Sequence, residues 1–177
     1  MRFLQLQKLK TDLSGTSTII IKANDILQVS EIQAQNKVTQ QTEIVRQIIL
    51  VGYPEYAFMT YTPLLAFEST LKAVDITGGL GLGSSCLVPG VLDIVNVDSS
   101  YPMVKLWRIK NTITTLIDPL LVNLNYLYFA EEVPFTDEVL QTQVSAMVLS
   151  FQGDPLRKTV TNASLSNLVA ILEPIIL

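Results

Sequence analysis

Thr18-Ile19-Ile20-Ile21-Lys22, a break at Asn24-Asp25, and Ile26-Leu27-Gln28-Val29-Ser30-Glu31-Ile32 form the stretch that decides the fold. Branching at Cβ stiffens χ1 and suits a pleated backbone. Asn and Asp bond their own neighbouring backbone and so punctuate such a run. The pattern predicts two strands, joined as a hairpin or as the start of a meander. Upstream, Met1 to Leu9 alternates, with Phe3 opposite Leu4 and Leu6, and Thr11 to Ser17 is a polar turn containing Gly15. Downstream, Gln33 to Gln41 is a polar connection.

From Thr42 the period changes. Ile44, Val45, Ile48 and Ile49 fall on one helical face, while the β-branched run Ile48 to Val51 suits a strand nearly as well. Thr62-Pro63 predicts a helix start, with Thr as N-cap and Pro at the first helical position. Leu64, Leu65, Leu71 and Val74 line its buried side and Gly78-Gly79 stops it. Val91 to Val97 and Val104 to Ile109 are expected strands joined by a turn at Asp98 to Pro102. Val122 to Phe129 alternates as a further strand. Thr136-Asp137-Glu138 predicts a helix cap, with the helix running to about Leu149 and acidic residues at its positive end. A turn at Gly153-Asp154-Pro155 follows. A short last helix carries Leu165, Leu168, Val169 and Leu172, capped near Asn162 or Ser164 and stopped by Pro174. No internal repeat and no low-complexity tract is read. The expected fold is α+β and β-rich: an antiparallel sheet or sandwich with two to four short helices. It is expected to form one structural domain over 1–177, with a mobile arm at 77–90.

Composition narrows function more than any motif does. The chain has 177 residues, 49% of them hydrophobic and only 16% charged, with a net charge of −4. Mean hydropathy is +0.38 and pI about 4.8. This excludes a disordered chain and argues against a nucleic-acid binder held by phosphate contacts. There is no His, hence no Ser-His or Cys-His nucleophile pair and no HExxH zinc site. Cys86 stands alone, flanked by Leu87-Val88, and reads as a buried, inert thiol. Arg2, Lys8 and Lys10 do not suit a signal peptide, and the apolar run Pro119 to Ala130 is shorter than a membrane span. A soluble chain this apolar hides surface in a partner or covers it with Thr, Ser, Asn and Gln. Obligate self-association is therefore expected.

Four segments invite chemistry. Thr77 to Ser85 contains Gly78, Gly79, Gly81 and Gly83, but it lacks the Lys of a P-loop and the spacing of a dinucleotide fingerprint. These glycines read as a mobile assembly loop that orders against a neighbour. Glu131-Glu132 with Asp137-Glu138 supplies oxygens for a cation or an acid–base pair, or simply a solvated loop and a helix N-terminus. Trp107 in Lys105-Leu106-Trp107-Arg108-Ile109-Lys110, near Tyr101, is a stacking platform or a strand with snorkelling cations; the second suits an acidic chain. Asn162-Ala163-Ser164 matches a glycosylation sequon by chance. No catalytic, cofactor or metal site is expected.

Met1-Arg2-Phe3-Leu4-Gln5-Leu6, a polar turn, and Ile19 to Val29 with its Ala23-Asn24-Asp25-Ile26-Leu27 core resemble the opening of small virion-associated proteins of tailed phages, especially marine and crAss-like ones. The run Pro89-Gly90-Val91-Leu92-Asp93-Ile94 is similar to their β-rich segments. The resemblance spans about a fifth of the chain and describes strands, so it assigns no residue a role. It implies a structural protein of a phage particle: a capsid decoration, head-completion or tail protein. Such a protein is made in the host cytoplasm, is homo-oligomeric, and is partnered by itself and other virion proteins, with no cofactor, membrane or specific nucleic acid. The rival readings are a small carboxylate-based enzyme and a cytosolic ligand-binding module.

Overall fold

The β-branched opening folds as two strands, as expected, but they form no hairpin: β2 (Thr16–Lys22) pairs antiparallel with β1 (Phe3–Leu9), Leu6 opposite Ile19, while Ile26–Gln35 belongs to another sheet. The structure, a computed structural model, describes residues 3–75, 103–109, 118–152, 154–161 and 163–172. The Asn24-Asp25 break is one 3-10 turn, Ala23–Asp25. Then come β3 (Ile26–Gln35), β4 (Thr42–Leu50), β5 (Tyr53–Thr60), helix α1 (Leu64–Leu71), β6 (Val74–Asp75), β7 (Met103–Arg108) and β8 (Asp118–Asn123). A second 3-10 turn at Leu124–Tyr126 leads to β9 (Leu127–Asp137), β10 (Thr142–Phe151), β11 (Asp154–Thr161) and helix α2 (Leu165–Leu172). The fold is α+β and β-rich. The large sheet runs β5-β4-β3-β8-β7-β11-β10-β9, antiparallel along that path, with β6 parallel to β7. The pair β1-β2 is separate, with β1 against β5.

Four further expectations are corrected. Thr42–Leu50 is a strand, because Val45, Ile48 and Ile49 are buried between β3 and β5 rather than along a helical stripe. Residues 136–149 form no helix: the sheet claims both sides, and Asp137 caps a tight turn between β9 and β10. The run Val122 to Phe129 breaks at the 3-10 turn, where the Asn123 side chain accepts from the Asn125 N–H. Helix α1 begins after Pro63, which lies in the N-cap position with no side-chain cap bond, so Thr62 does not cap it. Its buried face is Leu64, Phe67 and Leu71, and Leu65 is exposed. In α2 the Ser164 hydroxyl accepts from the Asn167 N–H at 3.2 Å, as a helix start there requires.

The largest correction is that the chain is a tandem repeat. From β2 onward the elements of the first half recur in the second at an offset of 101 (Thr60 on Thr161), and β1 recurs as β7 at an offset of 100. The 3-10 turns Ala23–Asp25 and Leu124–Tyr126 and the helices Leu64–Leu71 and Leu165–Leu172 begin and end 101 residues apart. The ladders joining β3, β4 and β5 match those joining β9, β10 and β11 residue for residue. Ile32 opposite Val45 becomes Val133 opposite Ala146, and Arg46 opposite Thr60 becomes Met147 opposite Thr161. Irregularities match too: the shift between Ile48 and Leu50 returns between Leu149 and Phe151. The Val51 N–H donates to the Asp25 carbonyl and the Gln152 N–H to the Tyr126 carbonyl, both at 2.8 Å. Each repeat is therefore the series β2-β1, then β5-β4-β3, or β8-β7-β11-β10-β9, with one helix laid on its last-ordered strand.

The hairpin tips show what the repeat preserves. Asn36 Oδ1 accepts from the N–H groups of Val38 and Thr39, and Asp137 Oδ1 from those of Val139 and Leu140. Gln40 and Gln141 take left-handed φ values of 60° and 53°, and each amide donates to a turn carbonyl, of Lys37 and Glu138 respectively. The tips differ for a reason. Asn36 Nδ2 donates to Glu43 at 2.9 Å, whereas Val144 stands where Glu43 does and needs no donor. Alanine at either position strands two backbone donors and is expected to cost about 1–3 kcal/mol. Asp137→Asn should stay within about 1 kcal/mol, and Asn36→Asp, which sets a carboxylate against Glu43, should cost more than that swap. Urea unfolding of the four variants checks the order.

Candidate functional site

The assembly-loop glycines Gly78, Gly79, Gly81 and Gly83, with Cys86, Tyr101 and the expected strand Val91 to Val97, lie outside the described residues. The acidic cluster does not converge. Glu131 and Glu132 are successive residues of β9, opposite Val148 and Met147, so they point to opposite faces. Asp137 is buried and committed to its turn, and Glu138 lies in that turn. Among the described residues no group of three or more acidic or Cys side chains is placed to hold a metal ion. None of the described helices is long and apolar enough to cross a membrane. Trp107 lies half-buried in β7 against Ile109 and Ala146. Lys105 beside it is paired to Glu68 of α1 at 2.9 Å, with both side chains mostly covered.

The remaining polar features are local. The Tyr61 hydroxyl donates to Glu43, and that bond raises the phenol above its ordinary range. Bonds from the Ser14 hydroxyl and N–H hold the Asp12 carboxyl below the usual carboxylate range. An open groove of about 390 Å³ beside this turn is lined by Lys8, Leu9, Lys10, Thr11, Asp12 and Ser17.

The arrangement with organising power is the seam between repeats, where β3 pairs antiparallel with β8: Gln28 opposite Val122, Val29 opposite Leu121, Ser30 opposite Leu120. Two bonds lock it. Asn123 Nδ2 donates to the Ile26 carbonyl at 3.1 Å, and the Tyr126 hydroxyl donates to the Asn24 carbonyl at 2.7 Å. Side chains alternate across a strand, so the seam feeds two cores on opposite faces. Leu121 joins Ile26, Val29, Ile48, Phe67 and Leu71, while Leu120 and Val122 join Leu27, Ile49, Leu149 and Leu168. Each core borrows from the other repeat: Met103 and Leu121 complete the first, and Leu27 and Ile49 complete the second.

Sequence reasoning missed the surface that goes with this seam. Phe3, Ile20 and Tyr128 are large apolar side chains left exposed, all on strands at the two ends of the array, and Leu172 at the end of α2 is exposed with them. The available signal was the repeat itself, since each of the four has a buried counterpart. Comparisons with protein-family models, curated proteins and solved structures find no match.

Proposed function

We propose that the protein is a structural component of a phage particle, a capsid decoration, head-completion or tail protein, acting through contacts with copies of itself and with other virion proteins. One observation carries the reading. In a chain with 16% charged residues, Phe3, Ile20, Val38, Leu65, Tyr128 and Val139 are exposed. Large apolar side chains left exposed on a surface with few charges are the kind of area that subunit interfaces cover. Resemblance of the first thirty-odd residues to small phage virion proteins supports the same assignment.

Light scattering or mass photometry of the purified protein at micromolar concentration is expected to give multiples of the 19.6 kDa chain. Mass spectrometry of purified particles from the source should find the chain among the virion proteins. A soluble monomer with no partner in its source would overturn the reading.

A further inference from the structure

The chain carries two halves of one joint at its opposite ends. Within the chain, strand β3 of the first repeat accepts strand β8 of the second. By the repeat, β9 is the counterpart of β3 and β2 is the counterpart of β8. Among the described residues β9 pairs only with β10 and β2 only with β1, so each is the last strand in its order. Edges of this kind template the addition of a further strand.

Burial shows what each edge lacks. At the seam Leu121, Met103, Leu27 and Leu71 are 0%, 1%, 8% and 1% exposed. Their counterparts Ile20, Phe3, Tyr128 and Leu172 are 67%, 57%, 67% and 43% exposed. Phe3 corresponds to Met103 through the ladder, since Phe3 stands opposite Lys22 and Met103 opposite Asn123. Identical backbone positions are thus covered where the neighbouring repeat is present and bare where it is not. The deficit is also specific in kind. The first core is completed by Met103 and Leu121 from the second repeat, and among the described residues nothing supplies the second core with the equivalents of those two side chains.

We infer that β9 of one copy accepts β2 of a second copy, antiparallel, in the β3–β8 register: Ala130 opposite Ile20, with Phe129 opposite Ile21 and Glu131 opposite Ile19. Ile20 and Phe3 of the incoming copy then cover Leu172 and the second core, and Tyr128 packs against the incoming strand as Leu27 does at the seam. The joint is heterologous, so every copy keeps one donor and one acceptor edge, and assembly proceeds head to tail into a ring or a filament. Three ties of the internal seam are not repeated: Val169 of α2 stands where Glu68 does in α1, and Lys22 and Asp25 stand where Asn123 and Tyr126 do, so the intermolecular joint rests on strand pairing and the cover of apolar side chains.

This deepens the assembly reading and rests on it, and the test separates the two. In a Cys86→Ser background, Ile20→Cys and Ala130→Cys place thiols on directly opposed positions, which is disulfide distance across an antiparallel pair. Mixing the two variants under mild oxidation is expected to give a cross-linked dimer on a denaturing gel, and neither variant alone should. Ile20→Lys, at a position open to solvent in the isolated chain, should leave the melting curve unchanged at concentrations where the chain is dissociated. It should raise the dissociation midpoint of the oligomer about tenfold or more, because a buried, unpaired ammonium is costly. Oligomers that form without the mixed cross-link, or that are indifferent to Ile20→Lys, overturn the joint and leave self-assembly standing. A wild-type chain that stays monomeric overturns both.

Discussion

Phe67→Ala is expected to lower the unfolding free energy by about 3–5 kcal/mol, and Leu168→Ala, its counterpart, by about 2–5 kcal/mol. Phe67 is buried on the inner face of α1 among Leu6, Ile21, Ile26, Val29, Ile48 and Leu121. Removing its ring takes away transfer free energy and leaves a cavity that sheet residues on several strands cannot close. Leu168 holds the same place above Leu120, Val122 and Leu149. Leu65, one residue along α1 from a core position, points outward, and Leu65→Ala should stay within about 0.5 kcal/mol. Denaturant titrations at constant slope check the three values, and a Leu65 effect comparable to that of Phe67 would mean that α1 is rotated from the described orientation.

The second large effect is expected at the seam. Asn123 is fully buried; its amide donates to the Ile26 carbonyl across the repeat boundary and its oxygen accepts from the Asn125 N–H at 3.0 Å. Asn123→Ala leaves a carbonyl and an N–H without those partners, at a cost of about 2–4 kcal/mol for the two together. Its counterpart Lys22 is partly exposed and pairs with Asp25 at 3.4 Å. Screened pairs of that kind contribute little, so Lys22→Ala is expected to cost under about 1 kcal/mol. Equal effects at the two positions would remove the energetic distinction between an internal seam and an end.

Much of this architecture was legible in the residues, and the failures have physical causes. The β-branched run of β2 and the Val104 to Ile109 stretch carry their own strand preference, and Leu165-Leu168-Leu172 carries helical spacing, whereas β4 fits both periods and only its neighbours decide it. Thr136-Asp137-Glu138 misleads because an N-cap and an Asx turn use the same chemistry, a side-chain oxygen accepting backbone N–H groups two and three residues on. Nothing local distinguishes them; pairing of β10 with both β9 and β11 decides the outcome. The repeat stayed hidden because identity between its halves is sparse, as at Gln40 and Gln141, whose backbone is left-handed, and at Thr60 and Thr161. Several core positions keep only apolar character, Ala23 answering to Leu124 and Phe67 to Leu168. Exposure of Ile20 could not be read locally either, since its neighbours Ile19 and Ile21 have the same composition and differ in face. As for the candidate site, the sequence pointed to assembly in general but to the glycine-rich loop in particular, while the surface that the repeat singles out lies on β2 and β9.

The exchange of core residues between repeats also sets the order in which the chain can fold. Neither hydrophobic cluster closes with its own strands alone: the first waits for Met103 and Leu121, the second needs Leu27 and Ile49 already in place. During synthesis the first half therefore emerges with Ile26, Val29 and Ile48 unable to complete their packing until β8 has left the ribosome. Contacts this distant along the chain make for slow, highly cooperative folding, and the half-made product displays an open β3 edge throughout the wait. An open edge of that kind can accept a β8-type strand from another chain, so domain-swapped or aggregated chains are the expected by-products when closure of the first core is delayed.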